Sequence, residues 1–257
     1  VRAALVEAAL DLCRSERFSG LELRHNTGPR REQTAAGEMD RVNLVMPLEK
    51  TAEAQWNLVR AKVRNQCRKA DREGLVLAPA QAPGLLEEFH RIFEINMRDL
   101  GSPVHSIGFF RAMAAALGPR LRFIVTRLEG RPVGGLVAIR YGLRVHVPWA
   151  SALRAERNRC PNNQIYWEAI RWAIESGATG FDFGRSPVDG GTYRFKKGWG
   201  AEEETLDWQR FEPDGRSVLQ KAGTDSRLLK QISALWTRLP VPVASVVGAR
   251  VRRYFAN

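Results

Sequence analysis

The sequence predicts an α/β fold of the α+β type, in which a mixed, mostly antiparallel sheet is flanked by helices. Along the 257-residue chain, hydrophobic residues recur at helical spacing in some segments and alternate in others, so both kinds of element are expected. Residues 121–150 contain three strand patterns joined by short turns, which is typical of antiparallel pairing. A helical pattern over 161–177 separates the third strand from the next one, as in a crossover.

Residues 1–77 are predicted to alternate helices and strands. The expected elements are a helix over 1–16, a strand at LELR (21–24), a polar loop over 26–38, a strand at RVNLVMPL (41–48) and one long helix over 52–73. Gly74 stands where a left-handed residue commonly ends a helix. Because the chain opens inside a helical pattern, without a Met or a capping residue, we expect that an N-terminal part is missing.

The segment APAQAPG (78–84) predicts a linker between two units. After it, the expected elements are helices over 85–100 and 106–117, the three strands, a helix from Pro161 to Gly177, a strand at TGFDFG (179–184), an irregular connection and a final strand at TLDWQRF (205–211). Residues 85–215 should therefore form a complete unit, and residues 216–257 a basic helical tail.

The charge balance favours anionic partners. With 40 Lys and Arg against 28 Asp and Glu, the formal net charge is +12, which suits nucleic acid, nucleotides, phosphorylated lipids or a membrane surface. Three scattered cysteines indicate a reducing compartment, and four widely spaced histidines predict no metal site. No apolar run is long enough to cross a bilayer. We therefore expect a cytoplasmic protein, with the inner membrane face as a further location.

The predicted helix over 52–73 carries a basic face. Arg60, Arg64, Arg68 and Arg72 lie four residues apart and so follow one side of the helix. Exposed helix faces usually mix charges of both signs, because i,i+4 ion pairs then stabilise the helix. This face instead indicates phosphate binding, for which Arg60, Arg64 and Arg68 are the candidates. A solvated helix face is the alternative.

The segment FDFGRSPVDGGTYRFKKGWG (181–200) combines glycines, aromatic residues and cations. Asp182 is expected to cap nearby backbone N–H groups. Arg185 follows the end of a strand, which is where open α/β sheets bind ligands. Lys196 could stabilise an oxyanion or a phosphate, and a surface lysine is the alternative.

Two other chemistries are excluded for this segment. GRSPV (184–188) approaches the GxSxG nucleophile elbow, but Val188 replaces the second glycine and Pro187 has no N–H for an oxyanion hole. The chain contains no Gly-Lys-Ser/Thr, which excludes a phosphate-binding P-loop, and no GxGxxG to support a dinucleotide fold.

Three stretches together resemble the FemAB-like transferases: KVRNQCRKADREGL (62–75), PNNQIYWEAIRWAIESGATGFDFGRS (161–186) and YRFKKGWG (193–200). They are most similar to the branch associated with exosortase/PEP-CTERM exopolysaccharide systems of Gram-negative bacteria. The resemblance implies a tandem of two GNAT-like units, with the end of the first unit in 1–77 and the whole second unit in 85–215. It also implies that Phe195 and Lys196 lie at the active site, where Tyr193 is a candidate substrate-binding residue.

Characterised members of this family transfer aminoacyl groups from aminoacyl-tRNA to an amine of a peptidoglycan precursor. The resemblance therefore implies an acyl donor as co-substrate and no cofactor. Ordinary acetyltransferases of this fold hold the pyrophosphate of acyl-CoA at a Gly-rich turn before the central helix. Here the matching stretch AERNRCPNNQ (155–164) has no glycine, and Pro161 removes one N–H donor, so acetyl-CoA is the less expected donor.

The predicted function is acyl transfer, and most specifically aminoacyl transfer to an amine on a cell-envelope or exopolysaccharide precursor. Lys196 would stabilise the oxyanion and Phe195 would shape the pocket. The expected partners are an anionic nucleotide-linked or lipid-linked precursor and tRNA. One alternative is an N-acyltransferase that uses an acyl-CoA-type thioester. A second alternative, from another class, is a non-catalytic protein that binds RNA or another polyanion.

Overall fold

The computed structural model describes residues 2–29, 41–218 and 227–252. Its helices are α1 (Arg2–Ser15), α2 (Ala52–Leu58), α3 (Ala61–Arg72), α4 (Leu85–Asp99), α5 (Ile107–Leu117), α6 (Pro161–Glu175), α7 (Gly191–Gly198), α8 (Arg227–Trp236) and α9 (Val241–Val251). Its strands are β1 (Leu21–Pro29), β2 (Arg41–Pro47), β3 (Leu75–Leu77), β4 (Leu121–Leu128), β5 (Arg131–Tyr141), β6 (Arg144–Ala152), β7 (Gly180–Pro187), β8 (Glu202–Phe211) and β9 (Ser217–Val218). Two 3₁₀ segments cover Gly118–Arg120 and Arg154–Arg159.

The strands form one sheet in the order β1-β8-β2-β7-β6-β5-β4-β3, with β9 beside β8. Among the described strands, β6 and β7 are the only parallel neighbours, and the other pairs are antiparallel. Helix α6 connects β6 to β7, as a parallel pair requires. The predicted mixed, mostly antiparallel sheet with one helical crossover is therefore confirmed.

Each face of the sheet has its own helices and its own apolar cluster. Helix α6 packs on one side of β4, β5 and β6, and α4 packs on the other side of the same strands. Consecutive residues of β5 alternate between the two: Leu136 belongs to the cluster of α6, whereas Val137 belongs to the cluster of α4. We call these two sides of the sheet the α6 face and the α4 face.

The long helix predicted over 52–73 is wrong in one respect, because two helices occupy it. Helix α2 ends at Leu58, and Val59 and Arg60 are extended before α3 begins. The break has a physical cause. Arg64 Nη1 donates to the carbonyl oxygens of Trp56, Asn57 and Val59 at 3.3, 3.0 and 2.9 Å, so a side chain of α3 satisfies the last carbonyls of α2.

The irregular connection predicted after TGFDFG is also wrong, since residues 191–198 form helix α7. Glycines at both ends of this segment argue against a helix on propensity alone. Packing outweighs that preference: Lys196 and Trp199 are buried one turn apart, and Tyr193 and Phe195 lie against the cluster of the α6 face.

The sheet runs across the linker predicted at 78–84. Strands β1, β2 and β3 precede the linker, and they pair with β8, β7 and β4, which follow it. The division into two GNAT-like units stays a prediction. The loop predicted over 26–38 is wrong at 26–29, which belong to β1 because they pair with β8. The rest of that loop lies outside the described residues, as does the end of the tail, 253–257. In the described chain, no helix combines the length and the apolar character that a membrane span needs.

Candidate active site

The candidate active site lies where β6 and β7 separate. These parallel strands pair over three positions, Arg144–His146 with Gly180–Asp182. Both strands continue beyond this register, but β7 keeps only its pairing with β2 on the other side. Gly184 has a left-handed φ of +74° at the irregularity that follows, a conformation that glycine adopts without steric cost. The backbone of β7 is therefore open to ligands and side chains just after Asp182.

Helix α7 delivers Lys196 to this opening. Its Nζ donates to the carbonyl oxygens of Gly184 and Arg185, both at 3.0 Å, and the residue is only 7% exposed. Burial lowers the pKa of Lys196 to about 8, although the charge of Asp182 opposes this shift. The ammonium is thus mostly charged at neutral pH. It has three donors, and the two carbonyls use two of them.

Asp182 and His146 lie close together on the α4 face of the sheet. Asp182 Oδ1 accepts a hydrogen bond of 2.7 Å from the N–H of Gly184, which confirms the predicted capping role. His146 Nδ1 lies 3.4 Å from Asp182 Oδ2, and the imidazole side chain is 44% exposed. Burial would raise the pKa of Asp182, but hydrogen bonds from His146, Gly184 and Asn43 and the charge of His146 lower it below its ordinary value.

Other polar groups surround this opening on both faces of the sheet. On the α4 face, Arg144 makes a two-pronged ion pair with Glu204, with distances of 3.0 and 2.7 Å. On the opposite side, the hydroxyl of Tyr193 donates to Glu203 at 2.5 Å. These carboxylates come from β8. Strands β2, β6 and β8 and helix α7 therefore contribute side chains around one short stretch of β7.

The structure brings four of the predicted site residues together. Lys196, Phe195 and Tyr193 lie on α7, and Arg185 lies exposed on the stretch of β7 that Lys196 contacts. The ring of Phe195 packs edge-on against Tyr166, with 5.2 Å between the ring centroids. Phe195 is half-buried and packs against the cluster of the α6 face. Catalytic and binding roles for these residues stay predictions.

The basic residues of α3 lie on a neighbouring helix. Val63 of α3 lies 3.4 Å from where a Cβ on Gly198 would be, so the start of α3 meets the end of α7. Arg60 and Arg68 are exposed, and the guanidinium of Arg68 lies over the ring of Trp56 at 5.8 Å. Arg64 is occupied by the carbonyls at the end of α2. Phosphate binding by Arg60, Arg64 and Arg68 stays a prediction, and the bonds of Arg64 give it a structural role as well.

His146 and the two glutamates of β8 were not predicted as site residues from the sequence. His146 alternates with buried Val145 and Val147 in β6, so its position on the α4 face could be predicted from the strand pattern. Its pairing with Asp182 depends on the register of two strands that are separated by a whole helix. A single sequence contains no signal for that register.

The turn before α6 has the backbone expected from its sequence. A 3₁₀ segment ends at Cys160, which has a left-handed φ of +60°, and Pro161 is the first residue of the helix. Pro161 offers no N–H to an anion at this position. It stays a prediction that acetyl-CoA is the less expected donor. It also stays a prediction that the donor is aminoacyl-tRNA.

The chain matches a family model described as "Acetyltransferase (GNAT) domain" over residues 58–197, more than half of its length. It is similar to the UDP-N-acetylmuramoylpentapeptide-lysine N(6)-alanyltransferase of Weissella viridescens, with 24% identity over 162 residues. That match covers 61% of this chain and 48% of the relative, so the chain spans about half the length of the curated relative.

Solved structures share the fold. FemX superposes with a TM-score of 0.61 at 14% identity, covering 79% of this chain and 74% of FemX. The structure of L-PGS from Bacillus licheniformis superposes with a TM-score of 0.51 at 10% identity, covering 87% of this chain and 69% of that one. The similarity to the Weissella alanyltransferase supports the resemblance to FemAB-like transferases. The sheet, the crossover and the family match agree: the chain belongs to the acetyltransferase (GNAT) domain family.

Proposed function

We propose that the protein is an acyltransferase that moves an activated aminoacyl group to an amine on a cell-envelope or exopolysaccharide precursor. One observation carries the proposal: a buried lysine at the separation of two parallel strands keeps one N–H that the two backbone carbonyls do not use. A fixed cation in a partly dry site is suited to the negative charge that develops in acyl transfer.

The reaction has two steps at the carbonyl carbon. The amine nitrogen attacks the ester carbonyl, and a C–N bond forms while the carbonyl oxygen becomes an oxyanion. Lys196 stabilises this oxyanion with its remaining N–H. When the tetrahedral intermediate collapses, the C–O bond of the ester breaks and the released hydroxyl oxygen takes up a proton. Phe195 limits the space beside the reacting carbonyl.

His146 accepts the proton that the attacking nitrogen must lose. Its Nδ1 lies 3.4 Å from Asp182 Oδ2, so the carboxylate stabilises the imidazolium that forms. The side chain is partly exposed on the α4 face, where an amine can reach Nε2. A base in such a position typically contributes about 10²- to 10⁴-fold in rate.

The choice of substrates follows from charge and from similarity. The formal net charge of +12 favours an anionic, nucleotide-linked or lipid-linked acceptor, and tRNA as the carrier of the donor. The Weissella relative is named for alanyl transfer to a lysine amine of a UDP-linked pentapeptide. We propose an acceptor amine of the same chemical kind for this chain. The exopolysaccharide branch, the PEP-CTERM association and a cytoplasmic site of action are part of the same proposal.

The direct test measures product mass. The chain is incubated with alanyl-tRNA and UDP-N-acetylmuramoyl-pentapeptide, and a gain of one alanyl unit on the pentapeptide is detected by mass spectrometry. Lys196→Ala should lower kcat about 10²- to 10³-fold, the usual loss for an oxyanion donor. Lys197→Ala, a change of the neighbouring half-buried lysine, is the matched control and should keep full activity.

Each rival function has its own outcome in this test. Saturable micromolar binding of acetyl-CoA in calorimetry, with acetyl transfer to the same amine, would replace aminoacyl transfer by thioester chemistry. Salt-dependent RNA binding that Lys196→Ala leaves unchanged, with no turnover of either donor, would replace catalysis by binding. Equal turnover by Lys196→Ala and the unaltered chain would remove Lys196 from the mechanism.

A further inference from the structure

Helices α8 and α9 both carry exposed apolar side chains. In α9, Val243, Val246 and Val247 are 46%, 55% and 40% exposed, and their spacing of three and four residues places them on one side of the helix. In α8, Ile232 and Leu235 lie one turn apart and are also exposed. We call these five residues the C-terminal apolar surface.

The opposite side of α9 is docked on the body of the protein. Ala244 and Gly248 are buried, and a Cβ on Gly248 would lie 2.9 Å from the backbone nitrogen of Val104. Arg98 of α4 donates to the carbonyl of Leu239 at 3.2 Å, just before α9. The small residues Ala244 and Gly248, four positions apart, therefore let α9 approach the body of the protein closely. While this contact holds, the valines on the other side of α9 stay exposed.

The charges of this region have one sign. Residues 227–252 contain no Asp or Glu, but they contain five basic residues: Arg227, Lys230, Arg238, Arg250 and Arg252. Arg238 and Arg250 are exposed, and Arg250 lies on the same side of α9 as Val243 and Val246. Exposed valines beside Arg250, on two helices that contain no Asp or Glu of their own, suit a bilayer surface, which is apolar in its interior and anionic at its headgroups.

We propose that the C-terminal apolar surface binds the headgroup region of an anionic lipid bilayer. The valines and Leu235 enter the boundary of the acyl chains, and Arg238 and Arg250 contact lipid phosphates. Docking through Ala244 and Gly248 holds α9 against the body of the protein. The folded protein can therefore lie on the membrane, and α9 does not have to detach to reach it. This proposal is independent of the proposed acyl transfer, since it uses none of the residues of the candidate active site.

Vesicle co-sedimentation tests the proposal. The chain is mixed with vesicles of phosphatidylcholine alone or with an equal amount of phosphatidylglycerol. It should bind the anionic vesicles at least about tenfold more tightly, and salt should weaken that binding. Val246→Glu/Val247→Glu should reduce binding to anionic vesicles by at least about tenfold, and Arg238→Gln/Arg250→Gln by roughly tenfold.

A matched control separates the surface from general electrostatics. Tyr141→Glu/Leu143→Glu makes the same change of charge at two exposed apolar residues of the β5–β6 turn, and it should leave vesicle binding nearly intact. Unchanged thermal unfolding would show that each variant is folded. Equal losses from both glutamate pairs, or no binding to anionic vesicles, would overturn the proposal. It would also be overturned if sedimentation velocity showed a dimer that only Val246→Glu/Val247→Glu dissociates, because a second copy would then cover the surface.

Discussion

The two halves of the sheet differ in what covers their α4 face. Over β4, β5 and β6, the α4 face is closed by apolar packing, with Phe89 and Phe93 of α4 against Val125 and Val137. Over β2, β7 and β8, the same face carries the polar side chains Asn43, Asp182 and Glu204, together with Arg144 and His146 of β6. The α6 face, in contrast, carries one apolar cluster that includes residues of both halves, such as Leu136 of β5 and Leu44 of β2.

The closed half of the sheet therefore stabilises the fold, whereas the open half holds the polar groups of the candidate active site. The closed half is packed by apolar side chains on both sides, and this packing fixes the register of its strands. The open half needs only one apolar face to stay in place, so its other face is free to hold charged groups in defined positions. The separation of β6 from β7 lies at the border between the halves, where a rigid frame meets groups that water and substrates can reach.

Truncation in the closed half should have the largest effect. Phe89 is fully buried and contacts the rings of Phe93, Phe110 and Phe123. Phe89→Ala should lower the free energy of unfolding by about 3–5 kcal/mol, because a cavity replaces the ring. Urea denaturation followed by circular dichroism measures the loss. A loss below about 1 kcal/mol would show that α4 is not part of the cooperative core.

Truncation in the open half should affect rate and leave stability nearly unchanged. His146→Gln should lower kcat at least about 100-fold, because the amine loses its proton acceptor. The unfolding free energy should change by less than about 1 kcal/mol, since the side chain is 44% exposed. Val145→Ala, at the buried neighbour on the other face, is the reverse control: it should destabilise the fold while the folded fraction keeps its kcat.

The pH dependence of Lys196 should show opposite trends in activity and stability. With a pKa of about 8, the lysine loses its charge as pH rises, so the activity ratio between the unaltered chain and Lys196→Ala should fall about fivefold from pH 8 to pH 9. Taking this ratio cancels the ionisation of the acceptor amine, which both proteins share.

The stability trend has the other sign. The pKa of Lys196 is lowered in the folded state, so the unfolded chain binds more protons between pH 8 and the ordinary lysine pKa. The contribution of Lys196 to stability therefore increases with pH across that window. Urea denaturation at pH 8 and pH 10, compared with Lys196→Met, measures it. An activity ratio that is flat with pH would contradict the charged role of the lysine.

The smallest effect is expected for the ion pair at the surface of the open half. Arg144→Gln removes the two-pronged contact with Glu204, but the arginine side chain is 50% exposed. Solvent weakens such a pair, and we expect a loss of about 0.5 kcal/mol in unfolding free energy. Denaturation in 0.1 M and 1 M salt checks the origin of the loss, because an ionic contribution should shrink at high salt.

Most of the sheet could be predicted from the sequence, because its strands alternate cleanly and its turns contain Gly or Pro. The errors occurred at 52–73 and at 188–200, where long-range contacts outweigh local preference. Arg64 ends α2 from outside it, and the burial of Lys196 and Trp199 makes a helix from a glycine-flanked segment. Neither contact has a signature in a short window of residues.

Only the part of the candidate site that lies within one stretch of the chain could be predicted from the sequence. Lys196 and Asp182 are close in sequence, and their segment is unusual in composition. His146 and Asp182 are separated in sequence by helix α6 and meet through the pairing of β6 with β7. Glu204 reaches the site through the pairing of β8 with β2. Groups that meet only through sheet register could not be assigned from one sequence.

The peptide units around Gly184 are held by charged groups at both ends. Asp182 accepts from the N–H of Gly184, and Lys196 donates to its carbonyl oxygen. A change in the ionisation of Lys196 must therefore alter the electron distribution of this residue's two peptide bonds. The amide resonance of Gly184 in a nitrogen–proton correlation spectrum should titrate with the lysine, and it would give a direct reading of the active-site charge without any substrate.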